Sequence, residues 1–275
     1  IKKGHILIKT RSTLLSPGTE KSLIDFGKSN LIKKGLDQPE KVKDVLTKIK
    51  TDGFSNTYEA VRSKLDLPIK LGYCNVGIVK NIGEDVNGFK IGDRVVSNGP
   101  HGEVVLGPKN LCARIPDSVS DTQASFTVAA SIGLQGIRLA NPTLGETFLV
   151  SGLGLIGLLT IQLLKSNGCN VLGIDPDKEK CKIASSLGVQ TFHLKNQLDA
   201  IEWCSNKSDN QGLDGVIITA STSSNQPIDL ASEVSRKRGR IILVGISGLN
   251  INRDVFYKKE LSFQVSCSYG PGRYD

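Results

Sequence analysis

Apolar and polar positions follow two different patterns along the chain, and the change falls near residue 115. Before it, short runs in which apolar and polar residues alternate indicate β-strands, with Asn87-Gly88 and other glycine-containing turns between them. A longer stretch carries apolar residues at helical spacing with lysines opposite, which predicts a helical insertion over about residues 27–66. The strands predicted in this part of the chain cover residues 5–9, 76–81, 94–97 and 102–106.

After residue 115, short and almost wholly apolar runs alternate with helical stretches. Strands that are apolar on both faces are typical of a parallel sheet with helices packed on each side. The sequence therefore predicts an α/β protein, with a β-rich domain over residues 1–116 and a doubly wound, parallel Rossmann domain over residues 117–275. The predicted strands are residues 146–150, 170–174, 190–193, 215–220, 239–245 and 261–266, and the predicted helices are residues 158–166, 178–187, 197–205 and 227–234.

A glycine-rich turn, residues 151–157, joins the first of these strands to the helix that follows. Gly152 would permit a tight turn, Gly154 would let the backbone approach a pyrophosphate, and Gly157 would let the helix pack closely on the strand. The free N–H groups at the start of the helix would then face the phosphates. We therefore expect a dinucleotide to contact the members of this turn, which are Gly152, Leu153, Gly154, Leu155, Ile156 and Gly157.

Three further residues are expected beside the cofactor. Asp175 closes the second strand, 21 residues beyond Gly154. Its carboxylate would accept hydrogen bonds from the ribose hydroxyls of the adenosine and would repel a 2′-phosphate, which favours NAD over NADP. Ala220 and Gly245 end two later strands, and ligands of such sheets bind at the carboxyl ends of the strands.

Charge and hydropathy argue against two kinds of partner. The chain holds 35 basic and 27 acidic residues, a formal net charge of +8, and twelve of the basic residues lie within residues 1–50. No aromatic residues interleave these lysines, so a solvated helical face or a face for a small anion is favoured over nucleic-acid binding. The longest apolar run, residues 148–164, is interrupted by glycines and polar residues, so no membrane span is predicted.

The start of the chain and its cysteines add two expectations. The chain begins at Ile1 and contains no Met, and we expect it to be part of a longer protein. Nothing near its start resembles a signal peptide, so a cytoplasmic location is expected. Its six cysteines include no Cys-x-x-Cys pair and its three histidines are scattered singly. Because structural zinc sites need four such ligands close together, we expect reduced cysteines that pack in the interior.

Several segments carry a family resemblance. Residues 72–79 (Gly-Tyr-Cys-Asn-Val-Gly-Ile-Val), 89–95 and 115–117 belong to the β-rich part, and residues 129–133 and 151–157 to the second part. The first group is similar to the GroES-like catalytic domain, and the second to the cofactor domain, of medium-chain dehydrogenase/reductases of the zinc alcohol dehydrogenase type. The resemblance implies an NAD(P)-dependent oxidoreductase acting on a small molecule, with Lys180 near the adenosine ribose and Gln135 facing the nicotinamide.

Other segments resemble one group within this superfamily. Residues 12–20, the insertion around residues 51–53 and the end at residues 268–275 are similar to bi-domain oxidoreductases. In that group the unit is fused to a second, sugar-oxidoreductase-like dehydrogenase and is often associated with surface-polysaccharide metabolism. The resemblance therefore implies a C-terminal dehydrogenase domain in the parent chain and a part in polysaccharide biosynthesis. It leaves self-association into a homo-oligomer open.

The chain departs from the zinc alcohol dehydrogenases at their metal ligands. Pro17 stands where they place a Cys before Gly-Thr-Asp, and Gly72-Tyr73-Cys74 stands where they have Gly-His-Glu. Cys74 and His101 remain as two isolated ligands, which more often pack or hydrogen-bond than hold an ion. We therefore predict a metal-free protein.

Without the metal, hydride transfer needs another group that takes the hydroxyl proton and holds the developing alkoxide. Tyr73, aligned with the missing His, is the first candidate. Thr19, Glu20 and His101 are the others. Each has a local alternative: Glu20 as a helix cap, Tyr73 as a pocket wall, and His101 as a loop contact.

Three functions are consistent with these features. The first is a zinc-independent, NAD-dependent oxidoreductase that interconverts a hydroxyl and a carbonyl, with a sugar or sugar derivative as the candidate substrate. The second is an NADPH-dependent quinone- or enoyl-type reductase, against which Asp175 argues. The third is a dinucleotide-binding module without catalysis.

Overall fold

A computed structural model describes residues 1–28 and 70–273 of the chain. The predicted helical insertion over about residues 27–66 therefore lies, apart from its first two residues, outside the described residues, and so does the motif at residues 51–53. The described residues form one antiparallel and one parallel sheet. This arrangement confirms the predicted fold class, and the boundary proposed near residue 116 falls between the two sheets.

The antiparallel sheet contains the five strands of the β-rich part. These are β1 (His5–Thr13), β2 (Asn75–Ile82), β3 (Arg94–Ser97), β4 (Val104–Pro108) and β5 (Cys112–Arg114). Their order across the sheet is β4-β1-β2-β3-β5, so the long β1 lies between β2 and β4 and pairs antiparallel with both. The sequence did not predict β5, because a strand of three residues is too short to show an alternation.

The apolar residues of the alternating pattern supply the buried side chains of this sheet. Ile6, Ile8, Val79, Val95 and Val105 form one buried cluster, and none of them is more than 5% exposed. Successive side chains of a strand point to opposite faces, so a shift of the register by one residue would expose this whole set. Burial of the cluster therefore specifies the strand pairing.

The parallel sheet contains six strands in the order of a doubly wound fold. They are β6 (Thr147–Ser151), β7 (Asn170–Asp175), β8 (Gln190–His193), β9 (Leu213–Ile218), β10 (Ser235–Leu243) and β11 (Ser262–Val265). Their order is β11-β10-β9-β6-β7-β8, and every pairing is parallel. The chain winds outward in both directions from β6, so the strand order reverses between β6 and β9, and such sheets bind their ligands at the carboxyl ends of the strands at this point.

Helices cover both faces of the parallel sheet, and one helix follows the first strand of the β-rich part. The described helices are α1 (Pro17–Lys28), α2 (Asp121–Ala124), α3 (Thr127–Ala140), α4 (Leu155–Ser166), α5 (Lys178–Ser186), α6 (Gln197–Lys207), α7 (Gln226–Val234) and α8 (Arg253–Lys259). The glycine-rich turn leads directly into α4, three residues earlier than the apolar pattern predicted. Among residues 1–28 and 70–273, no helix combines the length and the apolar character needed to cross a bilayer.

One buried cluster joins the two sheets. It contains Cys74 and Val76 of the β-rich part together with Val128 and Ala129 of α3. Three half-buried side chains pack against it from different elements: Tyr73, Leu155 and Tyr269. Because Leu155 is the first residue of α4, this shared core holds Tyr73 on the same side of the molecule as the glycine-rich turn.

Candidate functional site

The glycine-rich turn is shaped by two glycines that have no room for a side chain. Gly152 has a φ of +101°, and a Cβ on it would lie 2.5 Å from the backbone nitrogen of Ala220. A Cβ on Gly157 would collide with the carbonyl oxygen of Gly152 and would lie 2.8 Å from Thr219 Oγ1. These contacts pack α4 against the ends of β6 and β9.

Gly154 differs from these two glycines because it faces open space. A Cβ placed on it would meet no atom within 4 Å, and its φ of −73° is one that any residue adopts. The N–H groups of the first turn of α4, those of Leu155, Ile156 and Gly157, have no acceptor within the helix. The free space and the free donors lie together, which is the arrangement that a pyrophosphate needs at a helix N-terminus.

Three strand ends meet beside the turn. Ala220 N donates to Ser151 O at 3.0 Å, and Gly245 N donates to Ile218 O at 2.9 Å. A Cβ on Gly245 would collide with the carbonyl oxygen of Ala220. The structure thus brings together Gly152, Ala220 and Gly245, three of the residues expected around the cofactor.

Thr219 is a residue of this edge that the sequence analysis did not single out. Its Oγ1 donates to Gly152 O at 2.5 Å and so holds the carbonyl of the glycine-rich turn in place. The available signal was its position, a hydroxyl residue directly after the buried strand β9. That position fixes which strand end it occupies but not which backbone group it contacts.

Asp175 connects the end of β7 to the glycine-rich turn. Its carboxylate is 5% exposed; Oδ2 accepts a hydrogen bond from Leu153 N at 2.7 Å, and Oδ1 accepts one from Asp177 N at 2.8 Å. Lys180 Nζ lies 3.8 Å from Oδ1. A carboxylate offers about four acceptor positions, so two remain for hydroxyl donors such as those of a ribose.

Gln135 lies beneath the last described segment of the chain. It is half-buried on α3, and a Cβ on Gly270, whose φ is +80°, would collide with its amide group. Tyr269, the neighbour of Gly270, packs against the core that also carries Tyr73. The residue expected to face the nicotinamide therefore lies between the parallel sheet and the segment that follows β11.

Four residues of the β-rich part form a second cluster, which we call the Tyr73 network: Ser16, Glu20, Tyr73 and His101. Tyr73 Oη donates to Ser16 Oγ at 2.8 Å. The backbone N–H of Ser16 donates to Glu20 Oε1 at 2.8 Å, and His101 Nε2 donates to Glu20 Oε2 at 3.0 Å. Ser16 is 5% and Glu20 6% exposed, so the polar contacts are shielded from water.

His101 depends on a glycine for its place in the network. Gly72 has a φ of +88°, and a Cβ on it would lie 2.7 to 2.8 Å from three atoms of the His101 imidazole ring. The backbone N–H of His101 donates to Leu71 O at 2.8 Å. The ring therefore lies directly against the residue that precedes Tyr73.

The network changes the expected roles of its members. Glu20 is the fourth residue of α1, and it caps the N–H of Ser16 while also binding His101. Thr19 is exposed in the first turn of α1, and among the described residues no hydrogen bond ties its side chain to Tyr73. Ser16 takes the place expected for Thr19. Its signal was the Ser-Pro pair, which is typical of a residue that precedes a helix.

The donor atoms around Tyr73 do not form a metal site. Cys74 is fully buried, and burial raises the pKa of its thiol to about 11, which disfavours the thiolate form. Glu20 and His101 bind each other. Within residues 1–28 and 70–273, no group of three or more His, Cys, Asp or Glu side chains is arranged to hold an ion.

Two family models match the chain, one in each part. The alcohol dehydrogenase GroES-like domain matches residues 42–137, and the zinc-binding dehydrogenase domain matches residues 156–275. A sorbitol dehydrogenase of Halalkalibacterium halodurans is 27% identical over 258 residues, which cover 80% of this chain and 74% of that protein.

Solved structures share the fold over nearly the whole chain. The galactitol-1-phosphate dehydrogenase of Escherichia coli has a TM-score of 0.74 at 18% identity and covers 98% of this chain and 77% of its own. A mycobacterial protein in complex with NADPH has a TM-score of 0.71 at 19% identity and covers 98% of this chain and 75% of its own. At these identities the likeness shows the fold alone.

Proposed function

The chain belongs to the medium-chain dehydrogenase/reductase superfamily of the zinc alcohol dehydrogenase type and is an NAD(P)-dependent oxidoreductase, and from that premise we propose its finer chemistry. In this proposal it uses NAD(H) to interconvert a hydroxyl and a carbonyl group without zinc. A sugar or sugar derivative is the proposed substrate. The choice of cofactor rests on one observation: the carboxylate of Asp175 is buried and accepts a hydrogen bond from the N–H of Leu153.

Asp175 supports NAD(H) because its buried carboxylate would repel a further negative charge at the adenosine ribose. The ribose hydroxyls of NAD would donate to its remaining acceptor positions, whereas a 2′-phosphate would face a buried carboxylate at short range. Lys180 is close enough to compensate one negative charge but already lies 3.8 Å from Asp175 Oδ1. One structural neighbour is in complex with NADPH, so the proposal of NAD(H) rests on the residues around Asp175 and not on the fold.

The glycine-rich turn would hold the pyrophosphate, and the strand ends at Ala220 and Gly245 would border the nicotinamide half of the cofactor. When bound, the nicotinamide ring supplies the acceptor or donor of the hydride. As the phenolate, Tyr73 Oη would accept the hydrogen bond of the substrate hydroxyl and then its proton, directly or through one water, and the phenol so formed would donate to Ser16 Oγ. Glu20 and His101 would hold this phenol in place rather than react.

The nature of the substrate is supported by the relatives. Among them are a sorbitol dehydrogenase and a galactitol-1-phosphate dehydrogenase, both named for polyhydroxylated compounds. The shielded polar groups around Tyr73 suit a secondary hydroxyl. The zinc implied by one family model does not fit the residues around Tyr73, and no step of the proposed reaction passes through a metal.

The cofactor is tested by calorimetric titration of the protein with NADH and NADPH. We expect NADH to bind at least about tenfold more tightly, a difference of about 1.4 kcal/mol. Asp175→Ser should reduce that preference, whereas Asp177→Asn, whose amide oxygen can replace the carboxylate oxygen that caps α5, should retain it. Equal binding of both cofactors by the unsubstituted protein would contradict the assignment.

The reaction is tested by a turnover screen of the protein. Polyols, nucleotide sugars and conjugated enones would each be offered with both cofactors. We expect turnover of hydroxyl compounds with NAD. Turnover of enones with NADPH would indicate a quinone- or enoyl-type reductase instead, and cofactor binding without any turnover would indicate a module that has lost catalysis.

A further inference from the structure

We infer that Ser16 is the residue that positions the phenol of Tyr73, and that His101 holds Ser16 in place through Glu20. This inference rests on the proposed function for its catalytic meaning, since it concerns the Tyr73 oxygen that, as the phenolate, would take the substrate proton. The hydrogen-bonded arrangement itself can be measured without any substrate.

The first step is the direction of the phenol hydrogen. Tyr73 Oη donates to Ser16 Oγ at 2.8 Å, so its hydrogen points toward Ser16. The oxygen then presents its remaining lone pairs, and a lone pair accepts a hydrogen bond from a hydroxyl but repels a carbonyl oxygen. The arrangement therefore favours an alcohol as the bound form of the substrate.

The second step is the rigidity of Ser16. Pro17 follows it directly, and a proline restricts the preceding residue to extended backbone conformations. Its N–H is bound by Glu20 Oε1 at 2.8 Å, and Glu20 N donates to Ser16 O at 2.9 Å. Because the N–H and the C=O of Ser16 are both bound to Glu20, the backbone from which the Ser16 hydroxyl projects is held in place.

The third step closes the arrangement into a ring of contacts. His101 donates to the second oxygen of Glu20 at 3.0 Å, and its imidazole lies against Gly72, the residue before Tyr73. A displacement of His101 would therefore reach Tyr73 by two routes, through Glu20 and Ser16 and through the backbone of Gly72. His101 is on this account a positioning residue.

The direct test is nuclear magnetic resonance of protein labelled with ¹³C at the ζ carbon of tyrosine, whose shift reports the hydrogen bond of the phenol. The chain has five tyrosines, so the Tyr73 signal is identified by its loss in Tyr73→Phe. We expect Ser16→Ala to move this signal and Ser16→Thr, which keeps a hydroxyl, to return it toward its original position. A Tyr73 signal that is unmoved in Ser16→Ala would overturn the inference.

The route through His101 has a matched pair of glycine variants. Gly72→Ala places a methyl group against the imidazole at a φ of +88°, whereas Gly88→Ala imposes the same backbone strain at +85° with no atom within 4 Å. We expect Gly72→Ala and His101→Ala to move the Tyr73 signal and Gly88→Ala to leave it in place. If the first two leave it unmoved, or if Gly88→Ala moves it equally, His101 does not position Tyr73.

The kinetic test uses a substrate that the turnover screen identifies. Ser16→Ala should lower kcat about tenfold and alter its pH profile, with the binding of NADH unchanged and with partial recovery in Ser16→Thr. An unchanged kcat and pH profile would contradict the catalytic part of the inference. If no substrate is turned over, the proposed function fails, and the tyrosine signals still decide whether Ser16 and His101 position the phenol.

Discussion

At the carboxyl edge of the parallel sheet the shape of the site comes from the backbone, whereas around Tyr73 it comes from side chains. Gly152 and Gly157 admit no Cβ, and the atoms that exclude it are main-chain atoms of Ala220, Thr219 and Gly152 together with Thr219 Oγ1. In the Tyr73 network, Tyr73 and Ser16 are 57 residues apart and Glu20 and His101 are 81 residues apart. The first region can be located from the glycine spacing of seven consecutive residues, whereas no local pattern in the sequence marks the contacts of the second.

This difference determines how each region responds to substitution. A methyl group added at Gly152 or Gly157 meets backbone atoms that cannot rotate away, so the cost falls on the fold and on the cofactor together. A side chain removed from the Tyr73 network leaves the sheet intact and changes one hydrogen bond. Variants in the two regions should therefore separate stability from turnover.

The largest effect is expected for Gly157→Ala. Its methyl group would collide with Gly152 O, so we expect a loss of about 2 kcal/mol in the free energy of unfolding and no measurable binding of NADH. Gly154→Ala is the matched control, since open space lies in front of it. The free energy of unfolding of this control should lie within about 1 kcal/mol of that of the original protein. The control should bind NADH measurably, but at least about tenfold more weakly than the original protein does. Urea denaturation and calorimetry measure the two quantities, and equal stabilities of the two variants would refute the backbone origin of the turn.

The next effect is expected for Tyr73→Phe. The variant keeps the ring that packs on the shared core and loses the hydroxyl that binds Ser16. Turnover should fall at least about tenfold while NADH binds as before, because a proton acceptor typically contributes more than that to the rate. Steady-state kinetics and calorimetry on the same preparation test both parts. A variant with full turnover would remove Tyr73 from the mechanism.

The two regions also differ in how far the sequence could predict them. The glycine spacing, the strand before it and Asp175 after it are local signals, and the structure places Gly152, Ala220 and Gly245 at one edge as expected. The sequence placed Thr19 and His101 near Tyr73 by resemblance, yet it contained no signal that the partner of Tyr73 is Ser16. A hydrogen bond between residues 57 positions apart depends on how β2 packs beside the start of α1, which periodicity does not describe.

A smaller effect concerns the alkaline stability of the core that carries Tyr73. Burial raises the pKa of the Cys74 thiol from its ordinary value of 9.0 to about 11. The folded protein thus keeps the proton that the unfolded chain loses first. Stability from this thiol is fully present below pH 9 and is lost as the pH rises from 9 through 11.

The contribution of Cys74 is measured by comparison with Cys74→Ala. Between pH 8 and pH 10 the original protein should lose about 1.4 kcal/mol more of its free energy of unfolding than this variant. The difference between the two isolates Cys74 from the lysines and tyrosines that titrate in the same range. Parallel losses in the two proteins would show that the thiol does not titrate as its burial predicts.

The smallest effect is expected from a metal chelator. A chelator that affected turnover but not NADH binding would act on the Tyr73 network and not on the glycine-rich turn. The side chain of Pro17 has no ligating atom, burial disfavours the thiolate form of Cys74 by raising the pKa of its thiol to about 11, and Glu20 and His101 bind each other. We therefore expect prolonged dialysis against a chelator to change neither turnover nor NADH binding. Loss of turnover with intact NADH binding, restored by added zinc, would mean that a metal acts beside Tyr73. Elemental analysis of the same sample gives an independent answer, because one zinc per chain would contradict the proposal that the phenol works alone.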